Sequence, residues 1–192
     1  MVKLTLKDII SLPEYEKIRD SFKKKVIQLT ESRRIHLGEI VTLVFENRET
    51  VKKQIQEMMR VEHIYDEQKI QNEIDIYNAL IPDQDELSAT LFIEIIEESK
   101  IRPQLDRLMG LDNGKSLFFQ IGSEKVYAKF EVGHSNETKI SAVHYLRFKF
   151  SPAVVKTFTE GKIEISLVID HPHYQAKTKI TEPTRHSLAL DF

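Results

Sequence analysis

Residues Val41 to Tyr65 read VTLVFENRETVKKQIQEMMRVEHIY. Val41, Leu43 and Phe45 alternate with Thr42 and Val44, and both sets are apolar or β-branched, so this part is a strand covered on both faces. The pattern extends back to Ile35, giving one central strand over Ile35 to Glu46. Asn47 is suited to cap a helix that follows at once. Stepping about 100° per residue along that helix aligns Val51, Ile55, Met58 and Tyr65 as its inward stripe. Glu46, Asn47 and Arg48 stand at the joint, the one place where polar groups crowd an apolar frame.

Upstream, Thr5 can cap a short turn over Leu6 to Ile10, and Ser11-Leu12-Pro13-Glu14 combines a capping-box pattern with Pro in a first helical turn. The helix that follows carries Tyr15, Ile18, Phe22, Val26 and Leu29 at spacings of three and four, a stripe expected to pack on a sheet. Downstream, Asp66 caps a helix with Ile70, Ile74 and Tyr77 on one face, and Pro82 to Asp85 ends the helical region. Leu87 to Ile96 alternate as a second strand, and Ser99 to Met109 form a short helix with Pro103 in or near its first turn, stopped at Gly110.

From Ser116 the chain is β-rich. Leu117 to Ile121 and Lys125 to Val132 flank Gly122-Ser123 as a hairpin. Gly133 to Lys139 is a polar loop. Ile140 to Phe150 is a long strand with His144 on the face of Ala142 and Leu146, and Tyr145 and Arg147 on the other. Ser151-Pro152 starts a short helix closed by Gly161. Ile163 to Ile169 and Tyr174 to Ile180 are strands joined at Asp170-His171-Pro172-His173, and Thr181 to Leu190 is a terminal helix. The whole is α+β: a mainly antiparallel sheet of mixed strand order, helices concentrated in the N-terminal half, in one domain over 1–192.

The chain has 192 residues, 41% hydrophobic and 30% charged, with a formal net charge of −2. That balance carries no field favouring nucleic acid. Lys23-Lys24-Lys25 and Arg33-Arg34 alternate with Glu14, Glu16, Asp20 and Glu31 and read as a solvated helix face. The absence of cysteine excludes disulfides, thiolate metal sites and cysteine-ligated clusters in this chain. No apolar run approaches the length of a membrane span, no signal-peptide core follows Met1, and the cytoplasm is the default expectation. There is no P-loop, Rossmann-type dinucleotide fingerprint, HExxH or nucleophile elbow.

Glu62 falls near the middle of the expected apolar helix face, with Gln54 at its edge. A carboxylate there needs a partner, and Arg48 or Arg147 is the simplest one, ahead of a tuned acid, base or metal ligand. Arg48 sits at the helix N-terminus, where free N–H groups and a guanidinium can hold an anion, or simply cap and pair. His144 faces the core. His171 and His173 flank Pro172 after Asp170, in a turn that suits either a metal or an ordinary Asx-type bend. His36 and His63 are placed on the surface. Asp83 to Glu86 lack the spacing of a calcium loop.

Four ordered segments, FENRETVKKQIQEMMRVEHI (45–64), YNALIPD (77–83), SAVHYLRF (141–148) and DHPHY (170–174), resemble the bacterial family known as domain of unknown function 3501. The residues matching its pattern are Glu46, Asn47, Arg48, Gln54, Gln56, Glu57, Arg60, Glu62, Tyr77, Asn78, His144, Arg147, Asp170, His171 and Tyr174; His63 departs, since the family more often carries Arg there. The family has no assigned reaction. Its members are often encoded near rubrerythrin-like proteins and iron–sulfur oxidoreductases of the heterodisulfide-reductase type. The resemblance therefore implies an accessory or binding protein of such a redox or oxidative-stress system, any cluster belonging to the partner. The alternative expectation is an enzyme, metal-assisted or not, using a cluster drawn from Glu46, Arg48, Gln54, Glu57, Glu62, His144, Arg147, Asp170 and His171. A third reading makes these residues ties between sheet and helices.

Overall fold

The computed structural model describes residues 1–133 and 140–192. From 134 onward the expected Gly133 to Lys139 loop lies outside the described residues. Gly38 sets the first correction. Its φ of 76° is left-handed, a conformation glycine adopts without a Cβ penalty, and it breaks the expected Ile35 to Glu46 strand into β1 (Arg34–Leu37) and β2 (Val41–Glu46). These pair antiparallel, Ile35 with Leu43 and Leu37 with Val41. Apolar residues continue across the turn, so the periodicity alone hid it.

Six further strands follow: β3 (Glu86–Ile93), β4 (Leu117–Ile121), β5 (Glu124–Phe130), β6 (Val143–Lys149), β7 (Ile165–His171) and β8 (Tyr174–Lys179). They form one sheet in the order β1-β2-β3-β6-β5-β4-β7-β8, and every neighbouring pair is antiparallel. The sheet curls until its two edges meet. The Tyr174 hydroxyl donates to the Leu37 carbonyl at 2.7 Å and accepts from the Ile40 N–H at 3.3 Å, and Thr178 Oγ1 donates to the His36 carbonyl at 2.7 Å. Side chains rather than a backbone ladder thus close what is nearly an eight-stranded barrel, a size whose interior side chains can fill.

Strand alternation sends Leu43, Phe45, Leu91, Phe119, Ala128, Leu146, Phe148 and Leu167 inward into one buried cluster. Phe119 is its centre, with ring centroids 4.7 Å from Phe148, 5.7 Å from Phe45 and Phe150, and 6.0 Å from Phe158. Helix α4 (Glu98–Arg107) plugs one end with Leu105 and the following Leu108; Pro103 lies inside it rather than in its first turn. Helices α5 (Pro152–Glu160) and α6 (Glu182–Ala189) plug the other end with Phe158 and Leu188.

Three helices, α1 (Leu12–Glu31), α2 (Arg48–Val61) and α3 (Glu67–Asn78), make a layer outside the barrel around a second cluster of Leu4, Leu12, Val51, Ile55, Met59, Ile64, Ile74 and Ile81. The inward stripe of α2 is therefore Val51, Ile55 and Met59, not Met58 and Tyr65; Tyr65 lies beyond the helix and is exposed. α1 packs along α2 instead of on the sheet. Ile18 turns outward because Arg19 takes the position facing α2. Among the described residues no helix is long and apolar enough to cross a membrane.

Candidate functional site

Glu46 ends β2 on its outward face, and the chain turns at once into α2. The Asn47 side chain accepts from the Glu49 and Thr50 N–H groups at 3.0 and 3.1 Å, while Thr50 Oγ1 accepts from the Asn47 N–H at 2.9 Å, the expected cap in reciprocal form. This turn lays the first part of α2 back over the end of β2. Thr50 Oγ1 donates to Glu46 Oε2 at 2.6 Å, Gln54 Nε2 to the same oxygen at 3.0 Å, and Thr90 Oγ1 on β3 to Oε1 at 2.8 Å. Glu46 is 4% exposed, and neutral donors satisfy both of its carboxylate oxygens.

The other charged candidates leave this cluster. Arg48 reaches forward to Asp8 rather than standing over the helix N-terminus. Asp8 is held at about 2, chiefly by the Thr5 N–H and then by Arg48. Glu57 faces α1, where Arg19 grips it through Nε and Nη2 at 2.9 Å each and the Tyr15 hydroxyl donates at 2.6 Å. The Arg19 fork holds Glu57 at about 2 against the opposing effect of burial, and burial with that carboxylate raises the Tyr15 phenol. Arg147 lies outward on β6, pairs with Glu86 at 2.7 Å and donates to the carbonyls of Ala79 and Ile81.

Glu62 is not on an apolar face. α2 ends at Val61, Glu62 is its exposed C-cap, and neither Arg48 nor Arg147 pairs with it. The 100° projection fails because the helix stops there. His144 does point into the barrel, with Nε2 2.9 Å from the Ser141 carbonyl and its ring edge-on to Phe130 at 5.6 Å. His171 lies at the α4 end, buried, its Nε2 3.1 Å from the Met109 carbonyl while Nδ1 accepts from the His173 N–H at 3.3 Å. Asp170 points outward and accepts from Gln175 at 3.3 Å. Of the nine candidates, only Glu46 and Gln54 touch. Among the described residues no three His, Asp or Glu side chains converge as a metal site.

The geometry adds residues the sequence did not single out. Strand register places Glu46 beside Ser88, Ser88 beside Arg147 and Arg147 beside Lys129, an outward row across four strands. An open cavity of about 230 Å³ lies along it, lined by Leu80, Ser88, Lys129, Tyr145 and Arg147 among others. Period-2 alternation assigns Lys129, Tyr145 and Arg147 to outward faces, but the register that joins them is a long-range property. Arg33 is a further correction. It does not lie on a solvated face: it is 0% exposed, pairs with Asp191, and donates to the carbonyls of Phe45, Ser187 and Glu46 at 2.9, 2.9 and 3.1 Å. Burial pushes Asp191 up despite the guanidinium beside it.

A family model described as protein of unknown function (DUF3501) matches residues 3–192. The chain belongs to this family. It is also similar to a solved structure, described as a novel protein of unknown function from Burkholderia pseudomallei K96243, at 36% identity over 99% of each chain and a TM-score of 0.90. No curated protein matches the chain. Membership in DUF3501 thus comes with the barrel and its helical layer but with no assigned chemistry, and the residues themselves must carry any functional reading.

Proposed function

We propose that this member of DUF3501 is a binding or accessory protein, with an iron–sulfur oxidoreductase or a rubrerythrin-like protein as its partner. One observation supports a binding role over a reaction at the strand-to-helix junction. Glu46, Arg48, Glu57 and Arg147, the groups best suited to chemistry there, are each engaged within the chain: by Thr50, Gln54 and Thr90, by Asp8, by Arg19 and Tyr15, and by Glu86 respectively. Groups held in this way act as ties between elements. The redox setting rests on the family resemblance alone.

The test is co-purification of the intact chain with the oxidoreductase and with the rubrerythrin-like protein, together with the turnover of each when the chain is added. Co-elution, or a change in turnover, is the expected outcome. Lys129→Glu reverses the exposed charge at the outer-face cavity without touching those ties, and weakens the complex if that face is the one used. Separate elution together with unchanged turnover would overturn the reading.

A further inference from the structure

At the end of the barrel plugged by α4, a cavity of about 220 Å³ opens between that helix, the β1–β2 turn and the β7–β8 turn, lined by Glu39, Ile40, Gln104, Arg107, Leu108, His173 and Tyr174. Its floor is apolar: Leu108 is buried, and Ile40 and Tyr174 pack against the barrel core. Gln104 Oε1 is buried there with no hydrogen-bond partner, an arrangement folded proteins rarely leave unanswered. Two opposite charges stand at the same cavity. Arg107 spends one N–H on the His173 carbonyl at 3.4 Å. Neither Arg107 nor Glu39 has an ion-pair partner among the described residues.

The geometry points to a binding site for a small zwitterion, a free α-amino acid with an apolar side chain. Its ammonium group supplies the donor that Gln104 Oε1 lacks and meets Glu39. Its carboxylate meets Arg107, and its side chain lies against Ile40, Leu108 and the Tyr174 ring. The cavity is below the roughly 300–1,000 Å³ of ordinary ligand pockets, which suits an amino acid and excludes a nucleotide. A ligand carrying only one charge leaves either the buried acceptor or the guanidinium unanswered. This inference is independent of the docking reading above, since it concerns the mouth of the barrel and a small molecule.

The test is titration calorimetry and thermal unfolding of the full chain with L-leucine, L-valine and L-methionine, alongside 4-methylpentanoate, which lacks the ammonium group, and 3-methylbutylamine, which lacks the carboxylate. The expected result is saturable one-to-one binding of at least one amino acid and a rise in Tm at ~10 mM ligand. The single-charge analogues and the variants Arg107→Met and Gln104→Leu should bind about tenfold more weakly or less. Both substitutions lie on the flank of α4, and Gln104→Leu removes an unsatisfied atom, so the ligand-free proteins should keep their Tm. Three results would overturn the proposal: no amino acid binds, the analogues bind as well, or the two variants bind like the parent.

Discussion

The side-chain amide of Gln56 and the backbone of Ile10 bind each other twice: Gln56 Oε1 accepts from the Ile10 N–H at 2.8 Å and Nε2 donates to its carbonyl at 3.2 Å. Asn78 does the same for Leu4, at 2.8 and 2.9 Å. An amide can stand in for one rung of a β-ladder because it carries both a donor and an acceptor. In this way α2 and α3 strap down the segment before α1. Gln56→Leu leaves both Ile10 groups without partners and should lower stability by about 1–3 kcal/mol. Urea unfolding measures the loss, and limited proteolysis should cut the strap first; an uncut strap in the variant would refute the account.

The Arg33–Asp191 pair predicts a larger effect. Asp191→Asn strands a guanidinium in the interior, at a cost of about 3–5 kcal/mol. Replacing both partners with apolar residues, Arg33→Met with Asp191→Leu, should recover part of that loss, because no uncompensated charge then remains. Guanidinium chloride midpoints of the single and double variants decide the matter. If the double variant is less stable than the single, the charge is not the cause.

Acid stability follows from two depressed carboxyls. Glu57 moves from its ordinary 4.5 to about 2, and Asp8 from 3.8 to about 2. A folded-state value below the unfolded one gives stability that is complete above the unfolded value and lost as pH falls toward the folded one. Stability should therefore decline between about pH 4.5 and 2. Glu57→Gln should flatten this slope, as followed by thermal unfolding across that range. An unchanged slope would exclude the Arg19–Glu57 contact as a source of it.

The seam of the barrel makes Gly38 intolerant of a side chain. Its φ of 76° is left-handed, and an added Cβ would meet the Tyr174 hydroxyl. Gly38→Ala should cost more than about 1 kcal/mol. Tyr174→Phe gives up the bonds to Leu37 and Ile40, yet it removes the atom the new Cβ would strike. The double variant should therefore lose less than the sum of the two. Strict additivity by calorimetry would argue against this contact.

Much of the frame was legible because it is written in local rules. The Asn47 and Asp66 caps, the Ser151-Pro152 helix start, the Gly122-Ser123 hairpin and the inward placement of His144 depend only on neighbours in the chain. The misreadings have local causes too. Gly38 turned the chain inside an apolar run, and Arg19 took a stripe position that hydrophobicity assigns to Ile18. Likewise α2 ended one residue before Glu62, so the residue that looked most costly faces water.

By itself, then, the sequence determined an α+β chain with an antiparallel sheet, helices weighted to its first half, and a strand that passes directly into a capped helix at Glu46 to Arg48. What that junction holds was decided only by the tertiary structure. Thr90 reaches Glu46 through strand register, Arg19 and Tyr15 reach Glu57 through helix packing, and Asp191 reaches Arg33 from the far end of the chain. Periodicity says which way a side chain faces. Which side chain meets it there depends on how distant segments pack, and that is a property of the folded chain as a whole.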